Sequence, residues 1–206
     1  TLPYNKYDKA SALQALIATH RTAFINCPMP KQEERFKTNS HEAQLCAMVV
    51  KNIIELYRTN GIPYDAHQTI GIISPFRGQG ALIRNELSLL DMEEYTQHIS
   101  IDTVERYQGS QRDIIIYCTT ITSPSQMELI VEAIDPTSPI VNQPIDRKLN
   151  VALTRARMQL FVIGIPQVLD TDCNYRALIN ELPQYLHPTA EYCNQSSNNV
   201  PKNSGR

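Results

Sequence analysis

A chain of 206 residues, 42% hydrophobic and 19% charged, has the length and apolar content of one globular domain, which excludes an intrinsically disordered protein. Lys and Arg number 19 against 21 Asp and Glu, so any affinity for nucleic acid has to come from local patches and not from a global field. No apolar run approaches the roughly 20 residues of a bilayer span, which predicts no membrane partner, and nothing at the start reads as a signal peptide.

Residues 23–26 predict a short strand, followed by a polar, lysine-bearing loop over 28–40. Over residues 41–57, Leu45, Met48, Val49, Ile53, Leu56 and Tyr57 recur at the spacing of an amphipathic helix, with Asn39 and Ser40 as caps and Asn60-Gly61 as its stop. Residues 69–73 predict a buried strand. Residues 79–90 predict a helix with Leu82, Ile83, Leu87 and Leu90 on one face, and 99–104 alternate like a strand. The runs 113–118 and 160–163 are almost continuously apolar, as strands covered on both faces are. Between them, residues 122–144 carry four prolines and predict an exposed insertion around a short helix at 126–133. A last helix is predicted at 175–182, and the polar stretch 191–206 predicts a flexible tail. Strands alternating with helices define the class: α/β, three layers α/β/α, with a mostly parallel sheet of five or more strands.

Five cysteines (Cys27, Cys46, Cys118, Cys173, Cys193) are odd in number and form no Cys-x-x-Cys pair, which argues against a disulfide framework or zinc site. A reducing, intracellular compartment is expected: cytoplasmic, or nuclear in a eukaryote. The chain opens on Thr1 and reads as a piece of something longer.

Ligands of parallel α/β sheets gather where strands meet loops, and three polar segments sit at such places. Ser74-Pro-Phe-Arg-Gly-Gln79 follows the strand ending at Ile73; Ser74 and the next helix's N-terminus can take an anion, and Phe76 offers a stacking or packing face. Gly78-Gln-Gly80 also opens like a dinucleotide fingerprint, but Ile83 stands where the third glycine belongs. In Asp102-Thr-Val-Glu-Arg-Tyr-Gln-Gly-Ser-Gln-Arg-Asp113, Gly109 allows close backbone approach, Thr103 can donate to a phosphate, and Gln108 and Gln111 can hydrogen-bond a ribose or phosphate. Lys148-Leu-Asn-Val-Ala-Leu-Thr-Arg-Ala-Arg157 reads as a helix running into a buried strand. Its Arg155 and Arg157, two residues apart, cannot share one helical face. A guanidinium near a sheet edge calls for an anion, and its fork suits phosphate.

In this order the three segments resemble the second RecA-like domain of superfamily 1 helicases, in the branch of the nonsense-mediated-decay helicase and its DNA-acting relatives. The first is similar to that branch's Thr-Pro-Tyr-x-x-Gln motif. Thr103-Val-Glu-Arg-Tyr-Gln-Gly109 with Asp113 is similar to motif V, and Asn150-Val-Ala-Leu-Thr-Arg-Ala-Arg157 to motif VI. Asn39-Ser-His-Glu-Ala43 resembles the family's Asn-x-x-Glu-Ala.

The resemblance implies a P-loop NTPase type of fold, and roles. Arg155 would be the arginine finger that stabilises charge on the ATP γ-phosphate. Gln108, Gly109, Gln111 and Arg157 would lie on the nucleotide side, with Gln111 where the family usually has glutamate. Ser74, Pro75, Phe76, Thr103 and Asn150 would touch a single strand, DNA favoured slightly over RNA, gripping its backbone without reading sequence.

No Gly-x-x-x-x-Gly-Lys-Ser/Thr loop, Walker B Asp-Glu pair or Gln-Tyr-Arg-Met motif is present. ATP and Mg2+ would therefore be held mainly by an N-terminal RecA-like partner domain, and this piece alone is expected to be inactive. Residues 1–190 are assigned to the second motor domain of an ATP-dependent helicase. The alternative is a degenerate RecA-like module that binds nucleic acid or a partner without turnover, which Gln111 and the near-neutral charge favour.

Overall fold

The computed structural model describes residues 2–30, 37–107, 110–131 and 147–186. Its centre is a sheet of six strands: β1 (Thr22–Asn26), β2 (Ile70–Ile73), β3 (Ser100–Asp102), β4 (Arg112–Cys118), β5 (Ala156–Gly164) and β6 (Gln184–Leu186). They run in the order β3-β2-β4-β5-β1-β6, and every pairing is parallel. The inner strands β2, β4, β5 and β1 are the Ile-, Val- and Phe-rich runs, and β2 is buried along its whole length. Such runs are stable only with helices on both faces.

Two neighbouring residues show the layers. The Tyr117 hydroxyl meets that of Tyr175 on α7 (Cys173–Glu181) at 3.0 Å. Cys118, the next residue, has its thiol beside that of Cys46 on α2 (Ser40–Asn60). Successive strand side chains point to opposite faces, so α2 and α7 cover opposite sides. With α2 pack α1 (Ala12–Thr19) and α3 (Arg77–Ser88), and α4 (Glu93–Thr96) follows beside α3. Across the sheet, a 3-10 segment (Pro124–Leu129) contacts α6 (Pro166–Leu169), and α6 contacts α7. The short α5 (Arg147–Leu153) leads into β5.

The ends of α2 explain its 21 residues. Asn39 accepts the Glu42 amide at 3.1 Å as its N-cap, and Gly61, at φ 62°, closes it in the left-handed conformation a glycine takes freely. Gln159, 1% exposed on β5, ties α1 to the sheet. Its oxygen accepts the Tyr4 hydroxyl at 2.8 Å, and its nitrogen donates to the carbonyls of Ile17 and His20 at 2.7 and 2.8 Å. A buried amide with such partners costs little, whereas one without them would be expensive.

Several expectations shift. The helix at 79–90 begins at Arg77, the strand at 99–104 keeps only three residues, and the insertion's first turn is 3-10. Helix α1 and strand β6 were not foreseen. Neither arginine of the motif VI segment lies on a helix. The Thr154 hydroxyl bonds back to the Asn150 carbonyl at 2.8 Å, while Arg112 N donates to the Arg155 carbonyl at 3.1 Å. The sheet ladder thus captures the chain at Arg155, and Arg157 is the second residue of β5. Most of the 122–144 insertion and all of the 191–206 tail lie outside the described residues.

Gly164 closes β5 where the backbone of one strand lies against its neighbours' side chains. A Cβ there would stand 2.5 Å from Leu169 Cδ1 and 2.6 Å from Thr119 Oγ1. Gly164→Ala is therefore expected to destabilise the domain by about 1–3 kcal/mol, the range for overpacking a filled core. Urea midpoints would check this, and an unchanged midpoint would show that the neighbours give way.

A candidate strand-binding pocket and an arginine edge

In a parallel sheet all strands begin on one edge and end on the other, and the predicted site residues fall into two groups accordingly. At the carboxyl edge, β2 ends into Ser74 and β3 into Thr103. Between them and the first turns of α3 lies a cavity of about 280 Å3, lined by Ser74, Phe76, Arg77, Arg84, Thr103 and Arg106 among others. Pro75, half-buried, shapes the turn into α3 but does not line the cavity. Ser74 is 2% exposed, and its hydroxyl is engaged by Thr120 Oγ1 at 3.0 Å and by the Phe76 amide at 3.4 Å. Its part is to fix the turn. Thr103 is half-buried on the rim, and Phe76 carries the Lys37 ammonium 5.5 Å from its ring centroid.

The cavity's charge was not read from the sequence. Arg77 and Arg84, seven residues apart on α3, share a face and line the cavity with Arg106. Arg106 leans on Asp102 at 3.5 Å in an exposed pair of small energetic weight. Arg77 and Arg84 have no ion-pair partner among the described residues. The small Gly80 and Ala81 between them open the space, and that spacing was the available signal.

Gln111, Arg155 and Arg157 lie at the opposite, amino edge, where β4 and β5 start. Gln108 and Gly109 fall outside the described residues. Asn150 is exposed on α5, which enters the sheet at this edge, and it does not line the cavity. Arg157 pairs with Asp113 at 3.6 Å, a mostly exposed contact. Arg155 is half-buried; its Nε donates to the Val151 carbonyl at 3.2 Å and its Nη2 to Thr154 Oγ1 at 3.0 Å. No carboxylate meets it among the described residues. Among the described residues it is an edge cation held by neutral acceptors.

The segment between the edges is pinned by Tyr107, which is buried, bonded to the hydroxyl and carbonyl of Ser100, and overlain by the Arg112 guanidinium 5.8 Å from its ring. Burial pushes its phenol pKa up, so it stays a neutral donor. Next to the pocket, Glu42 is buried with no cation paired to it among the described residues, and burial raises its carboxyl to about 8 against the opposing bonds from Thr120 and Thr119. Among the described residues no group of His, Cys, Asp or Glu could hold a metal ion, and no helix is long and apolar enough to cross a membrane.

Six parallel strands between two helical layers, polar at both edges, are a RecA-like fold of the P-loop NTPase type. The comparisons narrow this further. A family model described as an AAA domain matches residues 5–167, and the chain belongs to that family. It is 31% identical over 163 residues to "Regulator of nonsense transcripts 1" of Dictyostelium discoideum, covering 76% of this chain and 11% of that protein. It is 32% identical over 155 residues to "DNA polymerase alpha-associated DNA helicase A" of Saccharomyces cerevisiae, covering 72% and 18%. "Helicase sen1" of Schizosaccharomyces pombe is 31% identical over 113 residues, covering 54% and 6%. The chain is a superfamily 1 helicase-like domain of the nonsense-decay branch, and it spans between 6% and 18% of the length of these relatives.

Proposed function

We propose that this chain is the second motor domain of an ATP-dependent nucleic-acid helicase, gripping a single strand at its carboxyl edge and presenting Arg155 to the nucleotide at its amino edge. The observation that carries this reading is the cavity at Ser74 and Thr103, lined by Arg77, Arg84 and Arg106. Arg77 and Arg84 have no carboxylate partner among the described residues, although Asp102, paired with Arg106, also lines the cavity. Guanidiniums without carboxylate partners favour a polyanion, and the amides at the start of α3 add donors for phosphate. Phe76 beside them offers a face for a base.

The nucleotide fits this chain on one side only. Arg155 at the amino edge supplies cationic donors for a terminal phosphate, while the described residues offer no carboxylate cluster for Mg2+. ATP with Mg2+, when bound, supplies the phosphoryl group whose transfer to water drives the motor. This chain contributes a charge-stabilising guanidinium, and an N-terminal RecA-like domain of the same protein holds the rest.

Thr103→Ala with Arg84→Ala, in the full-length protein, is expected to weaken single-strand binding. The arginine change should also make the salt dependence shallower by about 0.7 in the slope of log K against log salt, the value for one phosphate contact. Anisotropy titrations at several salt concentrations measure both; unchanged affinity and slope would remove the pocket from the strand path. A second reading, a module that binds a strand without turnover, is favoured by the exposed, uncharged Gln111. A Walker A lysine upstream in the open reading frame would exclude it.

A further inference from the structure

Thr120 has a β-branched side chain yet sits at φ 72°, the left-handed region such residues avoid. It is 1% exposed, so solvent does not hold it there. Backbone of this kind persists only where its surroundings over-determine it, and here a single buried carboxyl takes both the Thr120 amide and the Thr119 hydroxyl. Glu42 Oε2 accepts the Thr120 amide at 2.7 Å, and Oε1 accepts the Thr119 hydroxyl at 3.0 Å. Held in that conformation, Thr120 aims its hydroxyl at Ser74 Oγ, 3.0 Å away, and Ser74 Oγ accepts the Phe76 amide.

The same turn is gripped from its other side. Gln79 on α3, fully buried, clasps the backbone of Asn39: its Oε1 accepts the amide at 2.8 Å and its Nε2 donates to the carbonyl at 2.9 Å. Asn39 in turn accepts the Glu42 amide through its side chain. The bonds close a ring from Glu42 through Thr120, Ser74, the first turn of α3, Gln79 and Asn39 back to Glu42. Core packing alone does not require such a ring, because an apolar side chain would fill the Glu42 site at lower desolvation cost.

We propose that Glu42 is a positioning residue for the carboxyl-edge pocket: through Thr120 it fixes the turn at 74–76 and the start of α3 in the geometry that receives a strand, a role that rests on the strand-binding reading of this pocket. Glu42 touches no ligand itself. The groups facing it are Thr119 and Thr120 just after β4, with the thiol of Cys118 nearby on β4, itself beside the thiols of Cys46 and Cys27.

Hydrogen exchange and single-strand affinity, measured on the full-length protein, test this together. The variants are Glu42→Ala, Glu42→Gln and Thr120→Gly, and the probe is a labelled oligo(dT) or oligo(U). Glutamine keeps an acceptor for the Thr120 amide and turns its NH2 to the Thr119 hydroxyl, which can accept. Glycine takes φ 72° without strain and keeps the amide that Glu42 accepts, while removing the Thr120 side chain and with it the hydroxyl that reaches Ser74 and the Cys118 carbonyl. This variant is therefore expected to fold even where Glu42→Ala does not. Exchange over residues 74–81 should quicken, and strand affinity should fall about tenfold, the worth of one hydrogen bond. Both effects are expected in Glu42→Ala and Thr120→Gly, with Glu42→Gln near wild type and residues 156–164 unmoved. Unchanged exchange at 74–81, or acceleration spread equally through 156–164 in Thr120→Gly, overturns the positioning role. Altered exchange with full affinity overturns it as well. Should the wild type bind no strand, the strand-binding reading falls, while the exchange comparison still decides whether Glu42 holds the turn.

Discussion

Replacing Arg155 by alanine in the full-length protein is expected to cut strand-stimulated ATP hydrolysis by roughly 10³-fold or more, the range an arginine finger contributes, while strand affinity stays unchanged. The selectivity follows from position. Arg155 stands at the amino edge, whereas the pocket lies where β2 and β3 end. Its guanidinium leans on a carbonyl and a hydroxyl, both neutral acceptors that a phosphoryl oxygen can outbid through charge-assisted bonds. Arg157 is committed to Asp113 across the ladder and should matter less. Lysine at 155 should not rescue turnover, since an ammonium lacks the planar fork. Single-turnover assays with saturating strand measure the effect, and near-normal hydrolysis in Arg155→Ala would refute the assignment.

Glu42 gives the second large effect, on stability against pH. Its carboxyl moves from an ordinary value of 4.5 to about 8 on folding, chiefly because burial disfavours the charge. The folded state therefore keeps the proton across a window in which the unfolded chain loses it. The stability this contributes is complete below about 4.5 and is lost as pH rises through about 8. The slope approaches about 1.4 kcal/mol per pH unit inside the window, a few kcal/mol in all. Glu42→Gln, which does not titrate, should match the wild type near pH 5 and become the more stable form above pH 8. Urea unfolding across that range decides it. Parallel curves for the two proteins would mean that Glu42 is ionised or solvated in the fold.

The fold was largely legible because its inner elements carry strong periodic signals. The apolar spacing from Leu45 to Tyr57 and the runs at 113–118 and 160–163 need no tertiary knowledge. What escaped lacked that signal. Helix α1 buries only Leu13, Ile17 and Ala18, and β6 is Gln-Tyr-Leu with both ends exposed. The arginine turn reads as helix in the sequence because the bond that breaks it, from Arg112 N to the Arg155 carbonyl, joins residues far apart along the chain. At the candidate site, the motif order named Ser74, Pro75, Phe76, Thr103 and Asn150; Ser74, Phe76 and Thr103 line one cavity, and Pro75 and Asn150 do not. The ring at Glu42 stayed invisible because Thr119 is 77 residues away and nothing local marks the pair.

The two outermost strands, β3 and β6, are each three residues long, against seven and nine for β4 and β5. Unpaired strand margins are templates on which another polypeptide can add and begin to aggregate. Among the described residues, the hydrogen-bonding groups left open at either margin span only about 10 Å, a short rail for a foreign segment to register against. A slow-folding parallel sheet exposes its apolar centre during assembly, and blunt flanks of this kind limit what that centre can recruit once closed.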